Sequence, residues 1–161
     1  MENKRKTTAI ASVLFLTLLA GCQHIRTDIE IAAPPDRVWE MLADIDRYPE
    51  WNPYHVKVEG ALAVGQELVV TIHKPNGEKL TIKPHVMRLV PGRELTWGGG
   101  IRGLFYGEHV FLVEPTHQGH TRLVHKEEFT GIFVPLASLG AIDEGYRLMN
   151  RRLKERAEAR P

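Results

Sequence analysis

A single cysteine, Cys22, stands in this 161-residue chain, so no disulfide can form within one copy and stability must come from packing. Charge of one sign is missing too: 21 Lys and Arg face 20 Asp and Glu, with no basic stripe. That balance excludes the electrostatic footprint of a nucleic-acid partner. Gly98-Gly99-Gly100 lacks the G-x-G-x-x-G spacing and no helix follows it, so it is a bend or flexible stretch of sheet, with a ligand gate as the functional option. No other phosphate loop, nucleotide fingerprint or nucleophile motif is present, and no cofactor is expected. Internal repeats, linkers and low-complexity tracts are absent. The apolar run Ala9–Ala20, broken only by Ser12 and Thr17, is too short to span a bilayer as a helix.

What that run does fit is a leader. Lys4, Arg5 and Lys6 precede it, and small residues close it in Leu19-Ala20-Gly21-Cys22. These four residues look like a bacterial lipobox. The resemblance implies diacylglycerol on the Cys22 thiol, cleavage between Gly21 and Cys22, and acylation of the new amino terminus. The plain alternative is a free cysteine with no role. The expected organisation is a lipoprotein signal peptide over residues 1–21 and a single domain over 22–161. Loss of Lys4, Arg5, Lys6 and Glu2 takes the formal charge from +1 to about −1. The expected location is the bacterial cell envelope, held by lipid. Gln23 instead of Asp after the cysteine points to the outer membrane, facing the periplasm, if the host has two membranes.

Beyond Cys22, His24–Ile31 alternates with Ile25, Thr27, Ile29 and Ile31 on one face, which predicts a strand. Pro35 and Asp36 suit a helix start, and Val38, Met41, Leu42 and Ile45 supply one buried helical face. A second short helical turn around Asp46–Tyr48 is expected to end at Pro49. From Tyr54 to Gly131 only strand-like runs occur, roughly 54–61, 66–74, 79–90, 93–101, 106–114 and 120–130. Asn76-Gly77, Pro91-Gly92 and Pro115–Gly119 provide the turns, and connections this short favour antiparallel neighbours. Pro84 inside one run marks an edge or a bulge. Leu139, Ile142, Tyr146, Met149, Leu153 and Ala157 then form a helical stripe, with Arg147, Asn150, Arg151, Lys154 and Glu158 assigned to the other side. Gly145 within it either costs stability to no purpose or leaves room for something lying against the helix. An α+β fold follows: a curved antiparallel sheet of about seven strands wrapped around a long C-terminal helix, with two short helices after the first strand.

That order, with Ile31–Trp39 (IAAPPDRVW) and Ile45–Pro53 (IDRYPEWNP), resembles the START-related SRPBCC superfamily, also called polyketide cyclase/dehydrase-like. His109–Val113, Thr121–Leu123 and Glu127–Gly131 are similar to that family's last hairpin. The resemblance covers roughly residues 25–160 and implies a helix-grip fold with a cavity between sheet and C-terminal helix. It also implies sterols, lipids, polyketides or other apolar molecules as ligands, with a minority of members being enzymes.

Alternation on the last hairpin turns His109, Phe111 and Val113 inward, with Leu123, His125, Glu127 and Phe129. A pairing in which residue numbers sum to 236 sets His109 opposite Glu127 and Phe111 opposite His125; a two-residue slip sets His109 opposite His125. Both registers gather two imidazoles and a carboxylate on an apolar wall. Three readings stay open for this trio: a satisfied structural cluster, a holder for the polar head of an apolar ligand, or a His–Glu acid–base pair. A metal site is not expected, since no second ligand motif accompanies these residues. Trp51, Tyr54, Trp97, Phe105 and Phe133 are either cavity lining or plain core. The candidate ligand-binding set is Trp51, Tyr54, Trp97, His109, Phe111, His125, Glu127, Phe129, Tyr146 and Met149, with His109, His125 and Glu127 as the catalytic candidates. Basic residues from Arg147 to Arg156 read as a solvated face, with weak contact to anionic headgroups as the functional option.

The expected function is a membrane-tethered carrier or sensor of a lipid-like or other apolar small molecule. The runner-up is an enzyme of cyclase, dehydratase or hydrolase type, and a third reading is an envelope protein that uses the fold to contact another protein. The expected partners are therefore the apolar ligand and the membrane through Cys22, with oligomeric state left open.

Overall fold

Pairing begins earlier than the alternation from His24 predicts: in the computed structural model, which describes residues 21–159, β1 runs Gly21–Ile31. Apart from Gly21, the expected leader lies outside the described residues. Pro35 opens α1 (Pro35–Ala43), which buries Val38 and Leu42. A 3₁₀ turn over Ile45–Glu50 follows and runs through Pro49 instead of ending there. The strands are β2 (His55–Glu59), β3 (Val69–His73), β4 (Lys79–Ile82), β5 (His85–Val90), β6 (Glu94–Ile101), β7 (Phe105–Pro115) and β8 (Thr121–Gly131). A 3₁₀ turn at Val134–Leu136, without a counterpart in the sequence reading, leads towards α2 (Ile142–Glu158). No helix among the described residues is long and apolar enough to cross a membrane.

The fold is the expected α+β helix-grip, with eight strands where about seven were expected. The run 79–90 divides at Lys83-Pro84 because Pro84 has no N–H to give to a ladder. The break also separates two antiparallel sheets, ordered β1-β8-β7-β6-β5 and β2-β3-β4. They stay joined by the Glu67–His85 bridge and by the Leu68 N–H, which donates to the Pro84 carbonyl at 2.8 Å. On the last hairpin His109 faces Glu127 and Phe111 faces His125, the first of the two registers considered.

The apolar stripe begins at Leu139, yet α2 begins at Ile142. Ala141 adopts a left-handed backbone (φ 62°) that ends the preceding loop, and its carbonyl accepts the Gly145 N–H at 3.0 Å. The buried face comprises Ile142, Gly145, Tyr146, Met149, Asn150, Leu153 and Ala157. Asn150 is thus misassigned by the sequence reading: it lies four residues after Tyr146, on the buried side of a stripe wider than a single row.

Gly145 has a structural reason. The Tyr54 ring lies against the helix where a side chain at 145 would be, and a Cβ there would overlap ring carbons. Tyr54 is 3% exposed, so the ring has no free direction to leave. Gly145→Ala gains about 1 kcal/mol of helix propensity and incurs an overpacking cost of about 1–3 kcal/mol. The expected outcome is net destabilisation, seen as a lower urea midpoint; an equal or higher midpoint would show that the ring moves aside at no cost.

Candidate functional site

Two pockets of about 250 and 230 Å³ adjoin beneath the sheet and share Ile82, Trp97, Phe105, His109, Glu127 and Phe129 as walls. The first continues to Lys83, Pro84 and the Gly98–Gly100 edge of β6; the second reaches Tyr54, His55, Lys74 and Tyr146. The lining is mostly apolar with a few polar groups, the usual build of a small-molecule site. Gly100 sits at φ +110°, and a Cβ there would run into the Phe105 carbonyl, so the glycine run serves the bend reading.

Behind the wall a hydrogen-bonded line crosses the core. The Thr27 hydroxyl on β1 donates to the His125 carbonyl at 3.4 Å and accepts from Asn150 Nδ2 at 2.9 Å. Asn150 therefore presents Oδ1, an acceptor only, to His125 Nδ1 at 2.9 Å. His125 carries its proton on Nδ1, and its bare Nε2 accepts from His109 Nε2 at 2.7 Å. The His109 proton is then on Nε2, which leaves Nδ1 as a lone-pair acceptor. That Nδ1 is buried and has no hydrogen-bond partner among the described residues; the same holds for His55 Nδ1.

Stacking fixes these rings. Trp97 lies flat on His109 (centroids 4.9 Å apart, planes 11° apart), and Tyr146 lies flat on His125 (3.7 Å, 20°). His55 meets His109 edge-on at 5.2 Å. Tyr54 and His55 are positioned in turn by Asn52, whose Oδ1 accepts both backbone N–H groups at 3.0 Å. The Tyr146 hydroxyl donates to Glu127 Oε2. Lys74 is almost fully buried, and its Nζ donates to Glu78 Oε2 and to the Ser138 carbonyl, both at 2.9 Å.

Burial sets the electrostatics. It pushes His55 down to about 3. His109 and His125 fall well below the usual range through burial, with the neighbouring imidazoles acting in the same direction. Glu127 moves the other way, up to about 7, because burial outweighs the Tyr146 hydrogen bond and the Lys74 charge. Tyr146 is raised by burial and by the Glu127 carboxylate. At neutral pH the cavity thus offers two uncharged imidazoles, His55 and His109, with a third, His125, behind its wall, and one carboxyl near its midpoint. It can hold a neutral polar group, and Glu127 can give or take a proton.

Of the ten sequence candidates, Tyr54, Trp97, His109, Glu127, Phe129 and Tyr146 line the cavity. Four do not. Trp51 lies edge-on against Tyr48 at 5.1 Å and borders a surface groove with Arg152, Glu155 and Arg156. Phe111 and His125 are fully buried behind the wall, where Phe111 packs between Trp97 and His125. Met149 is fully buried too, one position before Asn150 on α2 and beyond the cavity wall. Phe105 lines both pockets, whereas Phe133 is exposed and lines neither. His55, Lys74, Thr27 and Asn150 were missed as site residues. The Tyr146–Asn150 spacing of four could have signalled Asn150; nothing local marks His55 or Lys74.

The chain belongs to the polyketide cyclase / dehydrase and lipid transport family, whose model matches residues 23–158. This agrees with the SRPBCC resemblance. No curated protein matches the sequence significantly. Among solved structures, ginseng major latex-like protein 151 (Panax ginseng) superposes with TM-score 0.70 at 10% identity, over 86% of this chain and 99% of that one. Truncated norcoclaurine synthase from Thalictrum flavum gives 0.63 at 17%, over 88% and 97%. The di-domain ARO/CYC BexL from the BE-7585A biosynthetic pathway gives 0.68 at 16%, over 87% of this chain; the chain spans about half (51%) of that protein. At such identities the likeness speaks for the fold. Family membership supports a role in binding, or cyclising, a hydrophobic small molecule.

The shifted groups set the pH dependence of stability. Unfolding returns three imidazoles to an ordinary value near 6.5, so their stabilisation is complete above that and falls as pH drops. Glu127 has the opposite sign: its contribution is complete below about 4.5 and disappears as pH rises through about 7. Between pH 5 and 6 the Glu127 carboxyl is protonated in the fold and ionised once unfolded, so stability should fall with decreasing pH more steeply in Glu127→Gln than in the wild type, by about one proton or about 1.4 kcal/mol per pH unit. Urea unfolding across that window measures the slopes. Equal slopes would show that Glu127 is not held protonated in the fold.

Proposed function

We propose that the protein is a membrane-anchored carrier or sensor, lipidated on Cys22, that holds an apolar small molecule in the paired pockets with its polar end at His109 and Glu127. The observation that carries this reading is the cavity itself: two adjoining apolar pockets whose shared wall brings one imidazole and one carboxyl together. The neutral histidines favour an uncharged polar end such as a hydroxyl or keto group. Lys74, the one cation of the lining besides Lys83 at the rim, is already engaged by Glu78 and the Ser138 carbonyl. In support of the anchor, Cys22 is exposed on β1, accessible to modification. The leader, the cell envelope location and the outer-membrane placement belong to the same proposal.

A second reading has one observation in its favour. Glu127, raised to about 7 and hydrogen-bonded by Tyr146 at the cavity wall, has the protonation balance of a general acid–base group. An enzyme built here would enolise or dehydrate a keto or hydroxy substrate, with Glu127 moving the proton and His109 Nδ1 accepting a hydrogen bond from it.

Native mass spectrometry of the full chain, extracted from its host membranes, tests the carrier. The expected result is a co-purifying apolar molecule that is depleted about tenfold or more in Ile82→Trp, whose larger ring narrows the space at the wall shared by both pockets. An empty cavity against a broad panel of neutral lipids and polyketides would contradict it. Glu127→Gln then separates the readings by conversion: a carrier leaves a keto or hydroxy ligand unconverted in wild type and variant alike, whereas an enzyme converts it and the variant does not.

A further inference from the structure

Five large apolar side chains are exposed among the described residues, and four of them lie together: Ile101 (65%), Leu104 (40%), Phe133 (48%) and Leu136 (81%). They come from the β6–β7 connection and from the segment after β8. The backbone ties these segments: the Phe133 N–H donates to the Leu104 carbonyl at 2.9 Å and the Ile132 N–H to the Gly103 carbonyl at 3.1 Å. Neither segment carries an acid. Residues 101–104 read Ile-Arg-Gly-Leu and 132–137 read Ile-Phe-Val-Pro-Leu-Ala, so Arg102 is the one charge. An apolar tip of this kind marks an interaction surface.

Two observations say what covers it. The chain enters the domain at this tip: Gly21 pairs with Gly131, and its Cα lies so near the turn that a Cβ would come within 2.7 Å of Pro135. Cys22, the expected acylation position, pairs with Thr130 one residue further on and therefore lies at the same end. The cavity also reaches this end. Ile101 pairs with Phe105, which lines both pockets, and Gly98–Gly100 lie just before it on β6.

We propose that the tip formed by residues 101–104 and 132–137 docks into an anionic lipid bilayer, and that it sets the Gly98–Gly100 edge of the cavity against the membrane. Ile101, Leu104, Phe133 and Leu136 enter the interfacial layer. The Arg102 guanidinium, held 4.2 Å over the Tyr106 ring, meets the phosphates. An apolar ligand then passes between lipid and cavity without crossing bulk water. This last step rests on the ligand-binding reading above; the docking surface does not. Acyl chains on Cys22 and the apolar tip together provide two membrane signals on one face.

The test uses the full lipidated protein in vesicles of phosphatidylethanolamine and phosphatidylglycerol with brominated acyl chains. Tryptophan introduced by Leu136→Trp or Ile101→Trp should be quenched about twofold or more and blue-shifted, whereas Arg151→Trp on the exposed side of α2 should be unaffected. Adding Leu136→Glu to Ile101→Trp should lower the quenching. Absence of quenching at both tip positions, or equal quenching at Arg151→Trp, would overturn the proposal. Tip-to-tip cross-linking without quenching would also overturn it, by giving the surface to a second copy of the chain. A protein that docks yet carries no ligand keeps this surface and fails the carrier; one that carries ligand without quenching does the reverse.

Discussion

The position of α2 over the sheet depends on one buried polar line, Thr27–Asn150–His125–His109, which joins β1, α2, β8 and β7. Every member is at least 97% buried, so none can turn to solvent if a neighbour is lost. Removing one partner leaves a buried donor or acceptor unmatched, at about 1–3 kcal/mol for each group stranded. Apolar contacts alone would hold the helix on the sheet but would tolerate sliding along it. The line does not, because Asn150 must meet Thr27 and His125 at once.

The cavity is the other side of the same constraint. With His125 held by Asn150 and covered by Tyr146, His109 is drawn flat under Trp97 and its Nδ1 has no hydrogen-bond partner among the described residues. The Tyr146 ring that covers His125 also delivers its hydroxyl to Glu127, so the structural line and the cavity carboxyl share a residue. Burial then keeps the imidazoles neutral and Glu127 near its midpoint, which turns a packing solution into a wall able to hold an uncharged polar group.

Legibility of this arrangement from sequence follows the range of each interaction. Alternation identifies which side chains of β7 and β8 turn inward, and the longer Pro115–Gly119 loop leaves two registers open, so His109 opposite Glu127 was within reach as one of the two. Alternation does not report depth. Phe111 and His125 share a face with His109 yet lie behind the wall, because neighbouring rings cover them. Asn150 was lost to its polarity, although its spacing from Tyr146 placed it on the buried stripe. His55 and Lys74 reach the site from the smaller sheet, and no local pattern announces a partner brought in by the joining of two sheets. Pro84 suggests an edge or a bulge within one run, whereas its missing N–H sets the boundary between the sheets. Trp51 failed for a different reason: an aromatic beside prolines suits a surface groove as well as a cavity mouth.

The buried line fixes one tautomer for each of His109 and His125, which long-range ¹H–¹⁵N spectroscopy of the imidazoles at neutral pH reads out. The expected spectra show neutral rings with the proton on Nδ1 in His125 and on Nε2 in His109, and loss of that assignment in Asn150→Leu. An imidazolium at either position, or the two tautomers reversed, would contradict it.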